Sequence, residues 1–582
     1  MILRFTSLLF LVFSRFAFGQ THHFEYDTLK FKHAILGDLD TFDLGTRPLS
    51  SSFLFPSASN NSYVIEPNQL FHPGNSIYSL PKSTENNLIF SALPHIGFGY
   101  SFGALATQKL DFDYEQAFKN GFLINSSIHN FKTDGFFRNT NAQNNRYQLA
   151  LARNGKLHSF QLLANSLKVE RNWNGGTQND TLASSFSPDL IPVRKENAQS
   201  VYKNSSIQLL NKISLFQDPN KQMGISSVNS YERFKRFYSE QDSISSLYSS
   251  VNIDSSKTND SLLQHSLNNN LGLYYKSERL TLESGMSSSY WNYRAFEYRN
   301  DTLEIGIYTQ TNLKFSKFKF VQKGNFNLLG AANGFHNSMR LQGDLFGFDF
   351  NITHQVFNEL PLVFQRYFYS NNVAYKTENL EKQWFQNFTT QISRSVGKQT
   401  FKLVYELGQF DKIYQFESQQ QIWRNDLNSS KGNFQQISLK SELNWRWLNC
   451  HLNYQFTAID EDKRFIPKHL LDSRLFVKGG IFKAKKLKAL AGIDFILTSS
   501  YKRLNFIPQM TVFDLEYSSV NPISSGFMNL AAFASFEVET FRLFVRMDNL
   551  AYFWQNRQIE LVNGYAFPST QLKIGITWDF WN

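Results

Sequence analysis

The sequence predicts an all-β chain closed into a single antiparallel transmembrane β-barrel of about 16 strands (14–18), with short periplasmic turns and long extracellular loops. Three observations lead there. Apolar and polar residues alternate with a period of two over runs reaching about 9–11 residues, the length a tilted strand needs to cross the hydrocarbon layer. Gly/Asn turns join some runs, while long Ser-, Asn- and Asp-rich stretches join others. Aromatic residues reach 16%, with 58 Phe and 26 Tyr, whereas charged residues make up only 18%, below the roughly 25% of soluble proteins.

The chain opens with an export signal over residues 1–19. Arg4 is the positive flank, Phe5 to Phe13 the apolar core and Ala17-Phe18-Gly19 the small-x-small site, which places cleavage after Gly19. Residues 20–85 carry Pro48, Pro56, Pro67, Pro73 and Pro81. Prolines at that density break any long element, so this part reads as an irregular periplasmic or lumenal segment.

Residues 86–582 read as the barrel. Leu110, Phe112 and Tyr114 alternate with Asp111, Asp113 and Glu115. Tyr147, Leu149 and Leu151 share one face, as do Phe401, Leu403, Tyr405 and Leu407. The clearest run sets Ile437, Leu439, Leu443, Trp445 and Trp447 against Ser438, Lys440, Glu442, Asn444 and Arg446. Lys119-Asn120-Gly121 and Asn154-Gly155 are hairpin signals, because Gly and Asn accept positive φ. Long polar connections are expected over 172–200, 241–266, 418–433 and 520–527. A budget of roughly 30 residues for each strand with its loop sets the strand number at about 16.

The last fifty residues hold two or three strands. Leu572, Ile574, Ile576, Trp578 and Phe580 oppose Lys573, Gly575, Thr577 and Asp579. Leu543, Val545 and Met547 oppose Arg542, Arg546 and Asp548. Glu537 and Glu539 have the parity of apolar Phe541, which puts them in a turn ahead of that strand. The apolar face fits lipid and the polar face a lumen, so the final strand is expected to close the wall onto an early one.

The totals exclude several classes. Mean hydropathy is −0.37, and beyond the N-terminus no run of about 18 apolar residues exists to span a membrane as a helix. The net charge of +11 is scattered along polar strand faces, so no nucleic-acid partner is expected. One cysteine, Cys450, permits no internal disulfide and no multi-cysteine zinc site. No nucleophile–base spacing, phosphate loop or paired metal ligands occur, so no enzyme, cofactor or metal is expected. Gly97, Gly99 and Gly103 miss the dinucleotide-loop spacing and read as places of close wall packing.

The chemistry to weigh is therefore charge on polar strand faces. Asp111, Asp113, Glu115, Lys440, Glu442, Arg446, Arg542, Arg546, Asp548 and Lys573 are the pore-lining candidates. Opposed charges among them would set a transverse field across a constriction, since rings of charged side chains govern selectivity.

The exported N-terminus, the stretch Gln108-Lys109-Leu110-Asp111-Phe112-Asp113-Tyr114-Glu115-Gln116, the stretch Thr133-Asp134-Gly135-Phe136-Phe137 and the tail Gln571 to Phe580 resemble the "Putative porin" family of Bacteroidetes. That resemblance implies a Gram-negative outer-membrane barrel passing small hydrophilic solutes, with no catalytic residue. The tail is also similar to the signal read by barrel-assembly machinery, carried here by Ile576, Trp578 and Phe580. Its usual terminal aromatic is replaced by Phe580-Trp581-Asn582. Outer-membrane lipid, periplasmic chaperones, that machinery and small solutes are the expected partners. The expected function is a porin for passive diffusion. The alternative is a substrate-specific or secretion-associated barrel with an occluded lumen.

Overall fold

A computed structural model of the chain describes residues 93–581, apart from short stretches at 119–120, 179–189, 219, 243–247, 249, 331–333, 378–380, 418–419, 428–429, 461–464, 484–485, 515–522, 525, 555–559 and 567–568. The expected export signal and irregular segment 20–85 lie outside the described residues.

The barrel is built from 22 strands rather than about 16. The first ten are β1 (His95–Gly103), β2 (Thr107–Ala117), β3 (Phe122–Thr133), β4 (Ala142–Asn154), β5 (His158–Trp173), β6 (Ala198–Asp218), β7 (Lys221–Glu240), β8 (Thr258–Ser277), β9 (Leu280–Ala295) and β10 (Tyr298–Phe315). Next come β11 (Phe318–Leu329), β12 (Phe335–Leu345), β13 (Phe348–Glu359), β14 (Gln383–Val396), β15 (Gln399–Asp411) and β16 (Gly432–Asn444). The wall ends with β17 (Leu448–Ile459), β18 (His469–Ile481), β19 (Leu487–Thr498), β20 (Met528–Val538), β21 (Phe541–Asp548) and β22 (Gln571–Trp581). Each strand pairs antiparallel with its sequence neighbours. The ring closes where β1 pairs with β22, in register from His95↔Trp581 to Gly103↔Lys573.

The estimate of about 16 strands failed on its residue budget. At the rim that holds both ends of the barrel, most connections are two-residue turns, such as 316–317, 346–347, 397–398 and 539–540. Ser316, Phe346, Gly347, Gly397 and Glu539 adopt the positive φ that such tight turns demand. The opposite rim carries the long connections 174–197, 241–257, 360–382, 412–431, 499–527 and 549–570. By the usual asymmetry of outer-membrane barrels, that rim is the external mouth. Two of these, 360–382 and 549–570, are rich in Phe, Tyr, Val and Leu and are not among the expected polar loops. The expected loop 241–266 is shorter than its polar composition suggested, because β8 already starts at Thr258.

Burial runs opposite to that of a soluble sandwich. Along β22, Leu572, Trp578 and Phe580 are exposed while Gln571 and Lys573 are buried. Along β21, Leu543 and Met547 are exposed while Arg542, Arg546 and Asp548 are buried. The apolar faces therefore look outward to lipid and the polar faces inward. β6, β7 and β8 run 21, 20 and 20 residues, beyond what the membrane requires. They raise one side of the wall above the bilayer.

Removing residues 572–582 takes away the hydrogen-bonding partner of both β1 and β21. That truncation is expected to abolish the compact, heat-modifiable form on gel electrophoresis; a truncated chain that still migrates as folded barrel would refute the closure.

Candidate functional site

Two features occupy the inner surface. The first is a belt of charge on the closing wall, from β18 to β22. Asp494 on β19 accepts hydrogen bonds from Arg474 Nε at 2.6 Å and from Arg546 Nη1 at 2.5 Å. Arg546 Nε also donates to Asp548 Oδ1 at 2.7 Å, and Lys573 Nζ lies 2.8 Å from Asp548 Oδ2. Phe533, on the strand between, lies under the guanidinium groups of both Arg474 and Arg546. Lower on the same wall, Glu537 joins Arg542 at 3.1 Å and Lys488 at 2.8 Å. Alternate positions on neighbouring strands bring opposite charges side by side, and buried ions persist only when paired in this way.

A smaller charged group sits at the seam. His95 Nδ1 lies 3.2 Å from Glu115 on β2, and its Nε2 lies 3.1 Å from Asp579 on β22. His129 contacts Asp111 at 2.9 Å, with Asp113 at 3.9 Å, and Lys109 pairs with Asp111 at 2.9 Å. The carboxylates of β2 thus face inward beside His95, His129 and Lys109.

The pore-lining candidates fall into four places, of which the seam holds Asp111, Asp113 and Glu115. Arg542, Arg546, Asp548 and Lys573 lie on the inward face, buried within the belt. Lys440 and Glu442 also have inward parity on β16 but remain exposed. Arg446 is not on the wall: β16 ends at Asn444, and Trp445, Arg446 and Trp447 form an exposed turn. The period-two pattern runs through that turn by coincidence of composition. Opposed charges across a constriction are not what these residues form, because their contacts are between adjacent strands. Glu537, assigned to a turn, sits inward on β20; a two-residue turn resets parity, so comparison with Phe541 misled. Arg474, Asp494 and Lys488 were missed, although each has inward parity on its own strand.

The second feature is a cap made by the long connections. Short strand pairs Tyr367–Tyr369 with Ala374–Lys376, Gln415–Glu417 with Ile422–Arg424, Asn505–Ile507 with Val512–Asp514 and Glu560–Val562 with Tyr565–Ala566 lie in these loops. One buried cluster joins loop residues Leu504, Phe506, Phe513, Val562 and Tyr565 to wall residues Trp173, Tyr238, Phe385, Phe410 and Phe434. Those wall residues belong to β5 and β7 on one arc and to β14, β15 and β16 on another, distant around the ring. Phe434 reaches inward because Gly408 leaves room: a Cβ there would collide with its ring. A second cluster packs Phe364, Phe368, Tyr375, Phe416, Trp423 and Met510 against Leu262 and Tyr293.

Hydrogen bonds tie the loops to one another. Thr177 N donates to Gly564 O at 2.9 Å and Asn563 N to Leu504 O at 2.9 Å. The loop 499–527 meets the tall wall where Tyr202 and Thr511 hydroxyls lie 2.7 Å apart and where Arg236 donates to Gln509 O. Gln509 Nε2 donates to Asp260 at 3.3 Å and Ser370 at 3.0 Å. Asn371 Oδ1 accepts from the backbone N–H of Ile253 and Asp254, while its Nδ2 donates to Asp254 O, Lys257 O and Thr258 Oγ1. Trp423 Nε1 donates to Tyr375 OH at 2.7 Å. Near the rim, Lys195 and Tyr248 converge on Glu240, at 2.6 Å each. Burial there lowers the Lys195 ammonium from the ordinary lysine range, with Glu240 opposing the shift.

A family model described as "Putative porin" matches residues 91–582, which takes in every strand of the ring. The chain belongs to that family. It is an outer-membrane transport barrel and not an enzyme. Among solved structures, the copper transporter OprC is similar, with a TM-score of 0.61 at 10% identity over 84% of this chain and 81% of that one. The siderophore receptor PirA from Acinetobacter baumannii is similar at 0.59 and 11%, over 85% and 81%. A ferric enterobactin receptor (PfeA) mutant from Pseudomonas aeruginosa is similar at 0.59 and 11%, over 84% and 81%. At such identities the likeness is one of fold. No curated protein matches the chain.

Asp494 is the shared partner of buried Arg546 and half-buried Arg474 in this porin-family barrel. Asp494→Ala is expected to cost about 1–3 kcal/mol, the effect of removing one partner of buried polar groups while Arg546 keeps Asp548. Denaturant unfolding of the protein in lipid vesicles measures it; a cost under about 1 kcal/mol would show that lumen water already screens the belt.

Proposed function

We propose that this barrel takes a particular class of small hydrophilic solute across the outer membrane and admits it only when its loops part. The observation that carries this reading is the apolar cluster bridging distant arcs of the wall at the mouth. An apolar contact of that extent excludes water, and a diffusion pore needs a continuous water path. Hydrogen bonds linking the connections 174–197, 241–257, 360–382, 499–527 and 549–570 make the cap cooperative rather than a set of independent flaps. The likeness of fold to barrels named as copper transporter and siderophore receptor agrees with a selective transporter.

Passive diffusion is the second reading, favoured by membership of a family described by its porin character. In both readings the belt and the exposed inward pair Lys440 and Glu442 line the route, together with Asp111, Asp113, Glu115, Arg542, Arg546, Asp548 and Lys573.

The two readings separate in planar bilayers. The intact protein is expected to conduct weakly. Replacing residues 503–514 with a short Gly/Ser linker should raise conductance severalfold, because that hairpin joins the loops to β6 and β7. Steady conductance by the intact protein, with size-limited and non-saturating sugar entry into liposomes, would establish the diffusion porin instead.

In the linker-opened protein, Lys440→Glu is expected to move the reversal potential toward cation selectivity. An unchanged reversal potential would remove Lys440 from the route.

A further inference from the structure

Below the cap, the tall wall changes character. Tyr293 on β9 marks the boundary: its hydroxyl donates to Tyr367 O of the cap at 2.7 Å. The next inward residue toward the membrane is Trp291, which is only half-buried. Strand register surrounds it with hydroxyls and amides and brings up two inward carboxylates, Glu304 opposite Ser289 and Glu232 opposite Ser266. Ser266 of β8 and Thr302 of β10 lie directly opposite on either side. One inward step down, Ser289 is flanked by Asn268, whose amide donates to Ser230 Oγ at 3.5 Å. Charge returns on β9 only at Glu283, paired with Lys212 at 3.3 Å.

We infer that Trp291 and the hydroxyl and amide groups around it form a subsite for the ring of a neutral saccharide, entered when the cap opens. The chemistry is that of the residues present. The Trp291 Nε1 atom is buried, so what the residue offers the lumen is ring hydrocarbon. An indole face stacks on the C–H face of a pyranose, burying apolar area on both partners. Ser266, Thr302 and Ser289 donate and accept through rotating hydroxyls, and Asn268 does both through a planar amide, matching the mixed donor–acceptor rim of a sugar. The neighbouring carboxylates Glu232 and Glu304 accept hydrogen bonds from sugar hydroxyls and repel an anionic ligand. The position, one inward residue from the cap's anchor Tyr293, places a bound ring where loop opening would first admit it. The inference rests on the selective-transporter reading and names its substrate class.

The test is binding rather than transport, so that the two can fail separately. Purified full-length protein in detergent, intact and with the 503–514 linker, is titrated calorimetrically with hexasaccharides of glucose, mannose and galactose and with hexagalacturonate as the charged counterpart. Neutral hexasaccharide binding is expected, at least in the linker form, and Trp291→Ala should weaken it about tenfold or more. Trp291→Phe should restore part of the loss. Lys317→Ala, in an exposed turn at the rim away from the cap, should leave it unchanged. Tighter binding of hexagalacturonate than of every neutral sugar, or no neutral binding by either form, overturns the saccharide subsite. Neither result alters the conductance comparison, which judges the cap alone.

Discussion

The structure depends on one constraint: a strand in lipid has no water to satisfy its backbone, so the sheet must leave no edge. β22 meets that constraint by pairing with β21 on one side and β1 on the other. Everything inward follows from the closed ring. Side chains that would face solvent in an open sheet instead face a confined lumen. There Arg546, Asp548 and Lys573 are buried although they stand on the polar face of the strand.

Confinement also explains why the charges pair along the wall rather than across it. Adjacent antiparallel strands bring same-face side chains within about 4.5–5.5 Å, whereas a ring of 22 strands holds opposite walls far beyond contact. Asp494 therefore finds Arg474 and Arg546 on nearby strands. A wide ring has a further consequence. Its lumen is too large for wall side chains to fill, and the mouth is filled here by loops that carry their own apolar core.

The cap works by complementarity between loops of low regularity and strand ends of high regularity. Inward aromatics at the mouth ends of β14, β15 and β16 (Phe385, Phe410 and Phe434) would be misplaced in an aqueous channel. They become core once Phe506 and Phe513 pack near them. Polar hubs such as Asn371 then fix the loops relative to one another, because a buried amide left without partners costs more than it gains. Beneath this cap lies a surface of hydroxyls, amides and two carboxylates around the half-buried indole of Trp291.

The sequence by itself determined the barrel class, the inward and outward faces of the strands it singled out and the closing role of the last strand, because period-two alternation is a local property of strands. It also placed Arg542, Arg546, Asp548 and Lys573 on the inward face. It misjudged strand number, since two-residue turns with non-Gly residues such as Ser316 and Glu539 at positive φ leave little mark in composition. It misplaced Glu537 and Arg446 for the same reason, as a tight turn resets or mimics the alternation. Only the tertiary structure decided which charges meet, that the apolar loops 360–382 and 549–570 belong to a cap, and that Trp291 lies beneath it. Those facts depend on contacts between residues hundreds of positions apart, such as Tyr202 with Thr511, and no local pattern encodes them.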